Sequence, residues 1–280
     1  MSIQNFSRLI MKRSLAVIGV GNMAKSIIAG ITSSDISVSC FYLFDKNIAT
    51  YETMQGHDSF VYSKSIEDAI AASDTVLLSV KPQNYPEVLD AVTNVSGYEK
   101  KLYISIAAGI TSQSVSDKLG GATVIRVLPN LPMTIGKGVS AICKNPSASA
   151  DELSFVDAVF ASAGSTMFIE ESEMNRIIGA LSSSPAYVFK FIDAICKGAD
   201  AQGLDGRALL DAVCDVVIGS AMLLKSLPDT PEELISKVAS KGGTTQRAID
   251  TLDEYDFDGI ITKAMIACTA RADELGRKDD

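Results

Sequence analysis

The sequence predicts an α/β protein whose N-terminal part is a doubly wound, mostly parallel sheet and whose C-terminal part is all-helical. Short apolar runs alternate with helical segments up to about residue 170, whereas from Glu173 onward apolar residues recur only at helical spacing. Alternating strands and helices build parallel sheets with crossover helices on both faces. We therefore expect two domains, residues 1–170 and 171–280, that meet near residues 169–173, with residues 1–10 as an extension before the fold.

Each predicted strand is an apolar run that stops at a turn-forming or charged residue. Strands are expected at about residues 14–18, 40–44, 60–62, 75–80, 102–107, 123–128, 138–143 and 165–170, and helices at 22–32, 48–55, 65–72 and 150–162. Ligands bind beyond the carboxyl ends of such strands, where Gly19, Asp45, Lys81, Ala108 and Asn130 fall. Loops are generally rich in these residue types, so each residue taken singly also fits an ordinary loop.

The motif Gly-Val-Gly-Asn-Met-Ala at residues 19–24 joins the first strand to the first helix. Gly19 permits a tight turn, Gly21 lets the backbone approach a pyrophosphate, and Ala24 lets the helix pack closely. The helix start also offers backbone amides to an anion. The pattern alone is equally compatible with a plain turn, but Asp45 ends the next strand where a ribose-binding carboxylate is expected. Together they favour a Rossmann-type dinucleotide-binding domain.

The composition excludes several classes of partner. The net charge of −9 argues against nucleic acid and anionic membranes, which require a basic face. The five cysteines lack metal-ligand spacing, so we expect no metal site and small core residues in a reducing cytoplasm. No apolar run reaches membrane-spanning length, and residues 1–10 lack the apolar core of a secretion signal. A cytoplasmic protein is expected.

The C-terminal helices have wide apolar faces, which predict a homodimer, or a larger assembly of dimers, formed through this half. One face holds Val188, Phe191, Ile192, Ile195 and Ala199, and another holds Leu209, Val213, Val216, Val217, Ser220, Leu223 and Leu224.

A second glycine-rich segment, Ser-Lys-Gly-Gly-Thr-Thr at residues 240–245, precedes a predicted helix at 246–252. It could offer amides and hydroxyls to a second anion at the helix start. The alternative is an ordinary turn in which Thr244 or Thr245 caps the helix. With a nucleotide site in the other half, the first interpretation gives a two-substrate cleft.

The order of these motifs resembles the pyrroline-5-carboxylate reductases, from about Lys12 to Glu274. The resemblance is carried by residues 19–24, 80–83 (Val-Lys-Pro-Gln), 105–109 (Ser-Ile-Ala-Ala-Gly), 126–130 (Arg-Val-Leu-Pro-Asn) with Pro132, 183–187, and 240–245. It implies hydride transfer from NADH or NADPH to 1-pyrroline-5-carboxylate, an imino acid, giving L-proline in the last step of proline biosynthesis.

The resemblance also implies roles for individual residues. The cofactor would be bound by Gly19, Val20, Gly21, Asn22, Met23, Ala24, Ser79, Val80, Lys81, Pro82, Ala107 and Ala108, and Asp45 and Asn130 are added to this set because they lie at the carboxyl ends of predicted strands. The substrate would be bound by Ser240, Gly242, Gly243, Thr244 and Thr245. A protonated imine accepts hydride more readily, so we expect the Thr245 hydroxyl to donate to the ring nitrogen as the catalytic group. Asp45 favours NADH slightly, since a carboxylate repels a 2′-phosphate, although Lys46 could bind one.

Two departures from the family pattern affect the substrate pocket. Lys241 replaces the usual proline, and Ser182 and Ser184 replace two glycines, so activity could be reduced or redirected. These departures support one alternative, a non-catalytic nucleotide-binding paralogue.

A second alternative is an oxidoreductase like the 3-hydroxy-acid dehydrogenases, with Lys190 as its catalytic lysine. The register places Val188 at that position instead, so Lys190 is expected to be a solvated helix charge. His57, the only histidine, is expected in a loop. Arg126 is expected to be structural, pairing under the sheet.

Overall fold

The computed structural model describes residues 13–54 and 57–276, so the predicted extension at residues 1–10 lies outside the described residues. The chain forms two compact units. The first unit ends at Ser183 and also contains the chain from Cys268 onward, and the second unit is Ser184–Ala267. The predicted domain boundary between residues 170 and 171 stays a prediction.

The first unit contains one eight-stranded sheet, in the order β3-β2-β1-β4-β5-β6-β7-β8. The strands are β1 Arg13–Ile18, β2 Val38–Phe44, β3 Phe60–Tyr62, β4 Thr75–Leu78, β5 Leu102–Ser105, β6 Val124–Leu128, β7 Gly138–Cys143 and β8 Gly164–Ile169. Every neighbouring pair is parallel except β6 with β7. The predicted mostly parallel sheet is confirmed.

Helices cover both faces of this sheet. They are α1 Asn22–Thr32, α2 Ile66–Ala71, α3 Tyr85–Thr93, α4 Ser112–Lys118 and α5 Ala150–Ala161. Ile27 of α1 and Phe155 of α5 belong to one buried apolar cluster, whereas α2, α3 and α4 contribute to another that includes Val88 and Val115. Because the strand side chains alternate between the two clusters, each strand is buried on both faces, as a doubly wound fold requires.

The structure corrects several predicted elements. The predicted helix at 48–55 is a 3-10 helix, Ile48–Met54, and α3 and α4 are absent from the sequence-based prediction. Helix α3 was not predicted because it contains Pro86. Proline is tolerated in the first turn of a helix, because the first amides have no intrahelical acceptor. β4 and β5 end at Leu78 and Ser105, before the predicted ends at residues 80 and 107.

An ion pair joins buried Arg126 to partly buried Glu171, which agrees with the structural role expected for Arg126. The Arg126 side chain is 1% exposed; its Nη1 donates to Glu171 Oε1 at 2.8 Å and its Nη2 to Asn175 Oδ1 at 2.6 Å. Asn175 Nδ2 donates in turn to Asp273 Oδ1 at 2.7 Å. The network therefore ties β6 to the chain that follows β8 and to the returning C-terminal segment.

The second unit contains α6 Ser184–Ala201, α7 Leu210–Ser226, α8 Pro231–Val238, α9 Thr244–Glu254 and the first half of α10 Phe257–Gly276. No residue of α6, α7, α8 or α9 is buried in the single chain. The apolar side chains that stay exposed include Phe189, Val216, Met222 and Val238, at 55–69% exposure. Within the described residues, no helix is long and apolar enough to cross a bilayer.

Candidate active site

The two glycines of the first loop have different physical roles. Gly19 has φ +90°, and a Cβ there would lie 2.8 Å from Val80 Cγ1 and 3.0 Å from the carbonyl oxygen of Ser79. Gly21 is the N-cap of α1, and a Cβ on it would meet nothing within 4 Å. Gly19 is therefore required by the fold itself, whereas Gly21 keeps open space in front of the helix start.

Asp45 holds this loop from the next strand. The backbone amide of Val20 donates to Asp45 Oδ2 at 2.7 Å, and that of Asn47 donates to Asp45 Oδ1 at 2.8 Å. The amide of Gly19 also donates to the carbonyl oxygen of Phe44 at 2.8 Å. Each carboxylate oxygen can accept more than one hydrogen bond, so this arrangement is compatible with the predicted contact to a ribose, which stays a prediction.

A large cavity of about 640 Å³ opens in front of α1. We call it the large cavity; it is lined by Gly21, Asn22, Met23, Ala24, Ser79, Val80, Lys81, Pro82, Ile106, Ala107, Ala108, Leu128, Pro129, Leu131, Thr134 and Ser182. Ten of these residues are predicted cofactor ligands. The carboxyl ends of β4 and β5 are therefore brought together at the start of α1, as the fold rule requires.

A small cavity of about 240 Å³ adjoins it. It is lined by Ile18, Gly19, Gly21, Phe44, Asp45, Lys46, Ile66, Ser79, Val80, Lys81, Asn84 and Val88. The two cavities share Gly21, Ser79, Val80 and Lys81. We call the two cavities together the trough; it lies at the carboxyl ends of the central strands, with Asp45 and Lys46 in the small cavity.

The Ser79 side chain, which lines both cavities, bonds to the backbone of the glycine loop. Its hydroxyl donates to the carbonyl oxygen of Gly19 and lies 3.2 Å from that of Ile18. Behind it, the Tyr85 hydroxyl donates to the carbonyl oxygen of Leu78 at 3.1 Å and lies 2.9 Å from Ser105 Oγ. Burial raises the pKa of Tyr85 well above its ordinary value, so this hydroxyl remains a neutral donor.

Asn130 does not line either cavity. Its Nδ2 donates to the carbonyl oxygen of Leu181 at 3.1 Å, and its Oδ1 accepts from the amide of Val139 at 2.9 Å. The side chain is also buried, at 7% exposure. This geometry favours a structural role for Asn130, holding the cavity wall, over the predicted contact with the cofactor.

Six residues that line the large cavity are missing from the predicted cofactor ligands, namely Ile106, Leu128, Pro129, Leu131, Thr134 and Ser182. Leu131 and Thr134 lie in the short 3-10 helix Leu131–Ile135, which begins just after Asn130. Ser182, noted only as a departure from the family pattern, donates to the carbonyl oxygen of Pro129 at 3.0 Å. The sequence contained a signal for Leu131 and Thr134, because both follow the end of β6. The contact of Ser182 could not be predicted, because its partner Pro129 is far away in the chain.

The glycine-rich segment of the second unit forms a tight turn into α9. Gly242 has φ +73°, and Gly243 is the N-cap of α9. The amide of Gly243 donates to the carbonyl oxygen of Ser240 at 2.9 Å, and a Cβ on Gly243 would lie 2.6 Å from Ser240 Oγ. The amide of Gly243 therefore has an acceptor within the turn, and its predicted contact with the substrate stays a prediction.

The first intrahelical bond of α9 runs from the amide of Arg247 to the carbonyl oxygen of Gly243 at 3.2 Å. The amides of Thr244, Thr245 and Gln246 precede it and form the anion-attracting end of the helix. Since the N-cap is Gly243, which has no side chain, the alternative in which Thr244 or Thr245 caps the helix is wrong.

The remaining candidates are His57 and Lys190. His57 is exposed, with Nδ1 2.7 Å from Ser59 Oγ and its ring stacked on Phe60, which agrees with the expected loop position. Lys190 is an exposed residue of α6, as expected for a solvated charge. The trough and the turn at residues 240–245 belong to different compact units, and that they serve one reaction centre stays a prediction.

Two family models match the chain. One is described as pyrroline-5-carboxylate reductase dimerisation and matches residues 171–275. The other is described as NADP oxidoreductase coenzyme F420-dependent and matches residues 14–109. The two matched segments correspond to the helical part of the chain and to the part that contains the glycine loop.

Curated relatives match nearly the whole chain. The pyrroline-5-carboxylate reductase of Synechocystis sp. is 31% identical over 96% of this chain and 100% of its own length. That of Vibrio alginolyticus is 32% identical over 94% of this chain and 97% of its own length.

Solved structures of the same name are similar in fold. The 1-pyrroline-5-carboxylate reductase of Streptococcus pyogenes has a TM-score of 0.84 at 27% identity, covering 94% of this chain and 98% of its own. The pyrroline carboxylate reductase of Plasmodium falciparum, solved with NADP bound, has a TM-score of 0.83 at 22% identity, covering 95% and 99%.

Proposed function

The chain belongs to the pyrroline-5-carboxylate reductase family, and on that premise we propose that it reduces 1-pyrroline-5-carboxylate to L-proline with NADH or NADPH. The observation that carries the proposal is the trough at the carboxyl ends of the strands, which is open in front of Gly21 at the start of α1. The activity is the last step of proline biosynthesis.

The residues present fit a dinucleotide. The absence of any atom within 4 Å of a Cβ built on Gly21 leaves room for a pyrophosphate against the α1 amides. The large cavity, lined by Val80, Pro82, Ala107 and Ala108, suits the nicotinamide half, and the small cavity beside Asp45 suits the adenosine half. When bound, the reduced nicotinamide supplies the hydride that is transferred to C5 of the imine.

The turn at residues 240–245 supplies the groups for the imino acid. The amides of Thr244 and Thr245 lie at the positive end of α9, where charge-assisted hydrogen bonds to the substrate carboxylate would each contribute about 1.5–3 kcal/mol. The Thr245 hydroxyl donates a hydrogen bond to the nitrogen of the neutral imine, and this bond strengthens as negative charge develops on the nitrogen during hydride transfer to C5. Ser240 holds the turn through its carbonyl oxygen, which accepts from the amide of Gly243.

NADH is the proposed preferred cofactor. Asp45 lies at the end of β2 and lines the small cavity, where its negative charge favours ribose hydroxyls and repels a 2′-phosphate. Steady-state assays with NADH and NADPH at equal concentration decide this point.

The proposed assembly is a homodimer, or a larger assembly of dimers, formed through the second unit. Its exposed apolar side chains support this, because contiguous apolar surface on a monomer usually marks an interface. The match of residues 171–275 to a dimerisation model agrees with this assignment. Five cysteines without a disulfide are consistent with the proposed cytoplasmic location.

The test is direct. The purified protein is mixed with 1-pyrroline-5-carboxylate, and the absorbance of NADH is followed at 340 nm; that wavelength is roughly the absorption maximum of the reduced nicotinamide. We expect cofactor oxidation that depends on the substrate and yields L-proline. Binding of NADH without its consumption would instead favour a non-catalytic paralogue, for which Lys241, Ser182 and Ser184 are the supporting residues.

A further inference from the structure

A bidentate ion pair lies at the adenosine end of the trough. Lys46 follows Asp45 directly, and its Nζ lies 2.8 Å from Glu87 Oε1 and 2.6 Å from Glu87 Oε2. Glu87 lies in the first turn of α3. The ammonium group therefore reaches from the end of β2 to the start of a helix that faces the same cavity through Asn84 and Val88.

Lys46 is a cation that could bind a 2′-phosphate. It lines the small cavity beside Asp45, and Lys81 lines the same cavity from the end of β4. A phosphate monoester carries about −1.5 to −2 charges near neutral pH and is bound by such cations. The charge on Lys46 is matched by both carboxylate oxygens of Glu87.

We propose that Glu87 is a specificity-determining residue that acts through Lys46 to disfavour a dinucleotide with a 2′-phosphate. It holds the lysine in an ion pair, so NADPH must compete with a carboxylate for this cation, whereas NADH has no 2′-phosphate and does not need it. This inference rests on the proposed function and deepens its cofactor preference. Glu87 is thus a positioning residue, and Asp45 remains the residue that faces the ribose.

The expected size of the effect follows from solvent exposure. The Lys46 and Glu87 side chains are 62% and 64% exposed. An ion pair at such exposure changes an equilibrium constant by a factor of up to about five. Glu87 should therefore bias cofactor choice rather than exclude NADPH.

The test is the variant Glu87→Gln, which keeps the size of the side chain and removes its charge. Dissociation constants of NADH and NADPH are measured by fluorescence titration, and kcat/KM for both cofactors is measured with 1-pyrroline-5-carboxylate. We expect the preference for NADPH over NADH to rise by up to about fivefold, through tighter NADPH binding, with NADH binding changed less than about twofold.

Asp90→Asn is the matched control. Asp90 lies on the same helix, is 67% exposed, and pairs with Lys118 at 2.9 Å instead of Lys46. It removes the same charge from α3 and should leave the cofactor ratio unchanged. Lys46→Gln tests whether Glu87 acts through Lys46. In the Lys46→Gln background, Glu87→Gln should no longer raise the preference for NADPH.

An unchanged ratio in Glu87→Gln, or a rise that persists in the Lys46→Gln background, overturns the proposal. Thermal melting of each variant shows whether it is folded. If no cofactor is consumed with 1-pyrroline-5-carboxylate, the proposed function fails, while the two dissociation constants still decide the role of Glu87.

Discussion

The backbone amide of Val20 donates a hydrogen bond of 2.7 Å to the carboxylate of Asp45. This bond joins the glycine loop after β1 to the end of β2. Asp45, which is expected to determine cofactor preference, therefore also holds the loop that is expected to bind the pyrophosphate. Substitution of Asp45 would therefore change both cofactor choice and loop geometry, which is why Glu87 offers a cleaner test of preference.

Gly19→Ala should lower the stability of the protein, whereas Gly21→Ala should weaken cofactor binding. A Cβ at residue 19 meets Val80 Cγ1 at 2.8 Å in a backbone conformation that L residues avoid, so we expect a loss of about 1–3 kcal/mol in the free energy of unfolding. Gly21→Ala should leave the melting temperature nearly unchanged but weaken NADH binding by about tenfold or more, because its Cβ occupies pyrophosphate space. Thermal melts and fluorescence titration measure the two effects. Tight NADH binding by Gly21→Ala would contradict the assignment of the loop.

Thr245→Ala should lower kcat by roughly 10²-fold, because the variant lacks the hydroxyl that donates to the ring nitrogen. Thr245→Ser is the control, since it keeps the hydroxyl and should retain most of the activity. Steady-state kinetics with saturating NADH measure both variants. Unchanged kinetics in Thr245→Ala would remove this residue from the mechanism.

The ion pair of buried Arg126 and partly buried Glu171 should make stability depend on pH in the acid range. Burial by itself raises the pKa of Glu171, but hydrogen bonds from Ser112 and Arg126, together with the charge of Arg126, outweigh it, so the net pKa is lowered. The ionised carboxylate therefore stabilises the fold above its unfolded pKa of about 4.3, and this contribution is lost as the pH falls through the lower folded value.

Glu171→Gln should lower the melting temperature at pH 7, and its deficit relative to the wild type should shrink as the pH is lowered toward 3. The variant leaves the buried Arg126 guanidinium without its counter-charge, and because Glu171 is partly exposed we expect a cost below the about 3–5 kcal/mol that is typical of fully buried pairs. Glu170→Gln is the control, because Glu170 forms only an exposed pair with Lys144 and should change the melting temperature little. A deficit for Glu171→Gln that does not depend on pH would show that the carboxylate charge is not responsible.

Cys143 should resist alkylation in the native protein. Burial, followed by the neighbouring carboxylate of Glu171, raises the pKa of its thiol to about 12, so almost no thiolate is present at pH 8. Half-buried Cys40 serves as the internal comparison. Mass spectrometry after brief treatment with iodoacetamide should find Cys143 unmodified until the protein is denatured. Equal labelling of the two cysteines in the native state would show that the site opens readily.

Local spacing was sufficient to predict the frame of the first unit. Strands β3 and β7 and helix α1 have their predicted bounds, because each is a run of residues whose apolar pattern and flanking turn residues lie close together in the chain. Helix α3 was not predicted, because Pro86 in its first turn is usually a sign that a helix ends. The partners of the Asn130 side chain, Leu181 and Val139, could not be predicted, because they come into contact with it only when the chain has folded.

The sequence by itself determined the alternation of strand and helix, the two glycine-rich helix starts and the family resemblance, since all of these depend on residue type and short spacing. Only the tertiary structure decided that Gly19 is packed against Val80 while Gly21 faces open space, that the amide of Gly243 is used in its own turn, and that Lys46 is paired with Glu87. These depend on distances between atoms whose positions are set by the packing of the folded chain, and such distances have no signature in the order of residues.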